Sequence, residues 1–154
     1  DTTNYKNPDY YQNTSSTLTF SGGVVKETWG TATARKLGDT NWTQAEIDAD
    51  KAPSGADTDT VNLRGLTYEH KQRISTHAHA LLESSDWYAS RKAEAGTAIP
   101  SAIATYRAAV RTKAGQMETL IGNADTIAKL EALYVYNTDN PPTRPLGEWP
   151  DPVE

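Results

Sequence analysis

Apolar positions along this chain change period twice, and each change marks a boundary. Thr17-Leu18-Thr19-Phe20 and Val24-Val25-Lys26-Glu27-Thr28-Trp29 are short runs of β-branched and aromatic residues separated by Ser21-Gly22-Gly23. Glycine supplies the positive φ of a tight turn, so the segment predicts a β-hairpin. A hairpin alone is marginal in water, and this one should pair with another chain or lie on helices. Thr43-Gln44-Ala45-Glu46 then forms a capping-box pattern behind Trp42. Thr43 and Glu46 can satisfy each other's free amides, opening a short helix to about Ala52 that Pro53-Ser54-Gly55 stops. Trp42 reads first as a local staple, with docking on a partner as the alternative. Residues 53–66 read as a polar connector that closes this region, 17–66.

From Thr67 the period becomes helical. Ile74, His77, Ala78, Leu81 and Leu82 follow the three-and-four spacing of one buried stripe. Ser85 or Asp86 caps a helix to Ala95, which Gly96 ends. Pro100 opens the longest helix in its first turn, where a missing N–H costs nothing. Its stripe is Ile103, Tyr106, Val110, Met117, Leu120 and Ile121. Gly122-Asn123 signals a stop, and Asp125 can cap a last helix carrying Ile127, Leu130, Leu133 and Tyr134. Positions 103, 110, 117 and 124, flanked by 106, 113, 120 and 127, are also heptad-like. They fit either a small intramolecular bundle or a symmetric contact such as a trimer.

The two ends fit no period. Residues 1–16 are rich in Asn, Thr, Ser and Tyr and read as an arm with Tyr5, Tyr10 and Tyr11 as anchors on a neighbour. Residues 137–154 carry five prolines, which exclude helix and favour an extended strand with Leu146 and Trp149 as docking groups. The expected fold is therefore mainly α. It is a small helical hairpin or bundle over 67–136, with an N-terminal β-hairpin and extended N- and C-terminal arms.

Composition sharpens that picture. Leu, Ile, Val and Phe fill 23 of 154 positions, about 15%, below the roughly 20% at which burial offsets ordering entropy comfortably. A small core with weakly hydrophobic arms is expected. Arms this polar fray unless a partner holds them. The net charge of −5 is spread as −3 over residues 1–66, +1 over 67–136 and −3 over 137–154. No basic stripe offers itself to phosphates, so nucleic acid is not an expected partner. No run approaches a membrane span and no signal peptide is visible. The chain opens on Asp1 rather than Met, so at least one residue is expected to precede it.

Candidate chemistry adds little. There is no cysteine, which removes thiol catalysis, disulfides and cysteine-based zinc sites. His70 and His77 share a helix face about 10 Å apart, and His79 diverges from His77, so no metal is expected. Asp48, Asp50, Asp57 and Asp59 lack the Gly and Glu offsets of a calcium loop. Arg107 and Arg111 could clamp an anion, although pairing with Asp86 or solvent is favoured. Neither an enzyme nor a cofactor is expected.

One stretch can be read as more than packing. Leu81-Leu82-Glu83-Ser84-Ser85-Asp86-Trp87 is followed by Tyr106-Arg107-Ala108-Ala109-Val110-Arg111. As packing, two leucines close a helix, Asp-Trp turns the chain with a large aromatic anchor, and Tyr-Arg returns as a second helix. The same order resembles the tail assembly chaperone-like, or tail-fibre-assembly-like, domain of tailed bacteriophages, with Ala78 where that pattern opens on Arg. The resemblance covers about thirty residues, 81–111. It implies a structural protein of the virion, tail- or tail-fibre-associated, assembled in the host cytoplasm and packing against other phage structural proteins. The alternative it implies is a soluble assembly chaperone absent from the mature particle. As a family motif, Leu81, Leu82, Asp86, Trp87, Tyr106, Arg107 and Arg111 would act together.

Overall fold

The computed structural model describes residues 2–153; Asp1 and Glu154, the outer ends of the two expected arms, lie outside the described residues. Helix occupies 41% of the chain and strand 15%. The architecture is thus a small combination of sheets and helices. It divides into two compact units, Asp1–Leu66 and Thr67–Glu154.

In the first unit, β1 (Thr2–Thr3), β4 (Val24–Trp29) and β3 (Ser16–Ser21) form a sheet in the order β1-β4-β3. The β3–β4 hairpin is antiparallel and in unbroken register from Ser16–Trp29 to Ser21–Val24. Gly22 and Gly23 take φ of 61° and 78°, the two positive values of the turn whose twist matches a hairpin. Two further pairs were not expected: β2 (Tyr11–Gln12) with β5 (Thr33–Ala34), and β6 (Thr40–Asn41) with β7 (Val61–Leu63). The capping box opens α1 (Gln44–Asp48). The Thr43 amide donates to Glu46 Oε2 at 2.9 Å, and the Glu46 amide donates to Thr43 Oγ1 at 3.3 Å.

The expected N-terminal arm is stitched into this unit instead of trailing from it. Asn13 both accepts from the Lys6 amide at 2.9 Å and donates to the Lys6 carbonyl at 2.7 Å. Asn4 Nδ2 donates to the Trp29 carbonyl at 3.2 Å. Short polar side chains thus take over part of the ladder's work, which is why no hydrophobic period announced these contacts.

The second unit holds α2 (from Leu66 to Glu83), α3 (Asp86–Ala95), α4 (Ser101–Gly122) and α5 (Ile127–Ala132). Gly96 ends α3 at φ 68°, its amide donating to the Lys92 carbonyl. Pro100 is the N-cap of α4. The cap of α5 is Thr126, whose hydroxyl accepts from the Lys129 amide at 3.2 Å, and not the expected Asp125, which pairs with the Lys129 ammonium. Ile74, Ala78, Val110, Met117, Ile121, Ala124, Leu130 and Leu146 form the buried apolar set. Three of the four heptad positions, Val110, Met117 and Ala124, are thereby occupied inside the unit.

The expected C-terminal arm belongs to the same unit. Asn137 closes a loop on Thr143 through its amide and its side chain, both at 2.8 Å. The Leu146 amide donates to the Leu133 carbonyl at 3.0 Å, and the Leu146 side chain is 1% exposed. A long apolar side chain in this tail finds its burial on the nearest apolar surface, which this chain supplies itself.

Candidate partner-binding surfaces

The motif residues around the α2–α3 turn converge on Arg107. From α4, its Nη1 donates to the Leu82 carbonyl at 3.0 Å and to Ser85 Oγ at 2.6 Å. Its Nη2 meets Asp86 Oδ1 at 2.8 Å. The Leu82 carbonyl is in the last turn of α2, where it also accepts from the Ser85 amide at 3.0 Å, and Asp86 lies in the first turn of α3, where a negative charge suits the helix dipole. A single guanidinium therefore caps one helix end and pairs with the start of the next. Ser85 completes the nest by donating to the same carbonyl at 2.8 Å. It was considered for the sequence only as a helix cap, and its side chain makes no such cap bond.

The remaining motif side chains, that of Leu82 included, do not join this nest, to which Leu82 contributes only its carbonyl. Leu81, Leu82 and Tyr106 are half-buried, and Arg111 is exposed. Trp87, expected as a core anchor, is 50% exposed. It stacks on Tyr88 at 3.8 Å between ring centroids, with the Arg91 guanidinium 4.9 Å from its own centroid. No residue of α3 is buried. The reason is geometric: Arg107 fills the site at the turn and pairs with a half-exposed Asp86, and the neighbouring Trp87 lies on the exposed face. Trp87→Ala is accordingly expected to cost under about 1.5 kcal/mol in urea unfolding, against the roughly 3–5 kcal/mol of a buried aromatic.

The predicted anchors of the two ends are engaged within the chain. Tyr5 packs its ring at 60° against Trp29, 5.1 Å away. Tyr10 is buried and Tyr11 is half-buried in β2, opposite Ala34. Leu146 is in the core of its unit, and Trp149 leans on His77 at 5.0 Å. Tyr10 and Leu146, expected as docking groups, are instead buried within their own units, whereas Tyr5 keeps 48% of its surface exposed.

Two contacts were not expected from the sequence. His70 is buried and its Nδ1 lies 2.7 Å from the Tyr134 hydroxyl. The single-sequence signal was its place four residues before Ile74, on the buried stripe. Asp39 accepts from the Gly65 amide at 2.8 Å and from Arg64 Nη1 at 2.6 Å, closing the connector onto the strands. Nothing in residue spacing points to a contact over 26 positions.

The Gly65 amide, then Arg64, holds the Asp39 carboxyl below its ordinary 3.8. The tie is complete above that value and is lost as pH falls through the lower folded pKa. An NMR titration of the Gly65 amide should show its acid step below pH 3.8, and Asp39→Asn should remove it. Tyr136 is shifted the other way, upward, chiefly by its hydrogen bond to Glu148.

Exposed large apolar side chains occur in both units, Trp87 and Val135 among them in the second, and the most exposed lie in the first. Leu18 is 67% exposed and Phe20 is 74% exposed, and Val24 and Leu63 are exposed as well. Among the described residues of this unit, Tyr10 and Leu66 are the large apolar side chains that are buried. No three His, Asp or Glu side chains among the described residues converge on a metal-sized site. No helix among them is long and apolar enough to cross a membrane. Comparison with protein-family models, curated proteins and solved structures gave no match.

Proposed function

We propose that the chain is a structural protein of a tailed bacteriophage particle, a tail- or tail-fibre-associated subunit that works by packing against other structural proteins. The observation that carries this reading is a deficit of burial. The accessible surface is 10311 Å², whereas two separate compact domains of 66 and 88 residues would expose roughly 9,200 Å² between them. Contact between the units could only lower the observed figure, so the excess does not depend on their arrangement. A chain that leaves this much surface uncovered is suited to acquiring the rest of its core from neighbours.

The phage assignment itself rests on the motif at 81–111. Its support is physical coherence: Arg107, more than twenty residues further along the chain, meets Leu82 and Asp86 in one hydrogen-bonded nest. A finer description, a small helical bundle with a hairpin appended, accompanies this reading. A trimer through the heptad seam does not, since its main residues are already buried within the unit.

A soluble assembly chaperone is the second reading. The observation favouring it is that Leu146 and Trp149 engage their own unit, so these two anchors are not held out for a lattice neighbour. Quantitative mass spectrometry of purified mature particles separates the two. A fixed copy number is expected; presence in infected-cell lysate alone would replace the first reading with the second.

A further inference from the structure

We infer that the free edge of β3 is a self-pairing surface, joining two copies of this chain through an antiparallel β3–β3 contact. The inference goes beyond the proposed function and stands whether or not the chain is a phage component.

The geometry begins with the hairpin. The two-residue Gly22–Gly23 turn makes Ser21 and Val24 the hydrogen-bonded closing pair, and the Gly30 amide donates to the Ser15 carbonyl at 3.4 Å. Hydrogen-bonded pairs alternate along an antiparallel ladder. The backbone groups of Thr17, Thr19 and Ser21 are therefore spent on β4, while those of Ser16, Leu18 and Phe20 point away from it. Because β3 is last in the order β1-β4-β3, these groups line a sheet edge.

The same three residues also share one face, since side chains alternate with period two. Any antiparallel strand that bonds to the edge groups of Leu18 and Phe20 thus sets its own paired residues on the Leu18–Phe20 face. For a second copy the match is reciprocal. With Leu18 opposite the second copy's Phe20, and Thr19 on the two-fold axis, both apolar pairs fall on one continuous face.

Edge strands normally carry a charge, a proline or a bulge that discourages such pairing. Ser16–Ser21 has none of the three, and its register with β4 is unbroken. An uncharged strand meets its own copy with no like charges directly opposed, and it has no charge with which to select a foreign strand. The contact is small. One strand edge and two side chains per copy bury well under the ~800 Å² per partner of a lasting interface, so pairing is reversible. The −3 charge of residues 1–66 in each copy opposes it, and added salt should strengthen it.

Sedimentation velocity of the full chain from about 1 to 500 μM tests this. A monomer shifting toward dimer with concentration, more readily at higher salt, is expected. Leu18→Pro removes an outward N–H while sparing the bonds to β4, and should weaken dimerisation at least tenfold. Phe20→Lys leaves the backbone intact, should weaken it likewise, and guards against misfolding of the proline variant. A chain monomeric throughout overturns the inference. So does a dimer that survives both substitutions, or one that Trp87→Ala abolishes while they do not.

Discussion

Arg107→Ala should lower the stability of the helical unit by about 3 kcal/mol, through three lost hydrogen bonds at roughly 1 kcal/mol each and the vacated stem. The side chain is 7% exposed, whereas its carboxylate partner Asp86 is 48% exposed. Water can therefore solvate Asp86 once the guanidinium is gone but has little access to Ser85 Oγ, while Leu82 O keeps the Ser85 amide and hydroxyl as donors. Asp86→Asn should cost no more than about 1 kcal/mol, as a half-exposed ion pair does. Arg107→Lys should recover little, because an ammonium on a flexible stem cannot reproduce a planar fork reaching three acceptors. Urea unfolding followed by circular dichroism reads all three. Equal losses for Asp86→Asn and Arg107→Ala would mean that charge pairing, and not the nest of neutral acceptors, holds the turn.

Removal of residues 137–154 should destabilise the helices strongly, although the sequence suggests a dispensable arm. Leu146 is fully inside the unit and its amide is bonded to Leu133. Leu146→Ala alone should cost about 2–5 kcal/mol. Deletion adds the Trp149 contact with His77 and the Tyr136–Glu148 bond. A domain of this size has only about 5–15 kcal/mol to lose, so the truncated chain should melt at a visibly lower temperature or not fold. An unchanged melting curve would return the segment to the status of an arm.

These two results also show what the sequence carried and what it did not. The β3–β4 hairpin, the Thr43–Glu46 box, the stop at Gly96 and the start of α4 near Pro100 were all legible, because each depends on neighbours within a few residues. The helix stripes were legible for a similar reason: Ile74, Ala78, Val110, Met117 and Ile121 are buried where the period put them. The pairs β2–β5 and β6–β7 were not, being two or three residues long and set by Asn, Thr and Asp side chains that have no period.

The candidate site was half legible. Pairing of Asp86 with Arg107 was among the sequence-level options and is observed at 2.8 Å. The outward face of Trp87 was not visible, since burial of a large aromatic depends on which neighbour fills the turn, here a charged side chain from α4. Leu146 failed in the opposite sense. Proline content describes backbone conformation and says nothing about where an apolar side chain among those prolines will find cover.

The central claim is that the first unit depends on neighbours for the burial it lacks, and amide hydrogen exchange of the isolated chain tests it most directly. Exchange at ~1 μM keeps the reversible β3–β3 contact from contributing. Amides of α4 should then be protected and those of β3, β4 and the short strand pairs should exchange far faster, as expected where few apolar contacts secure the backbone. The same strands should become protected when a partner covers them. Protection of β3 and β4 in the isolated chain equal to that of α4 would contradict the account, because the unit would then be stable on its own.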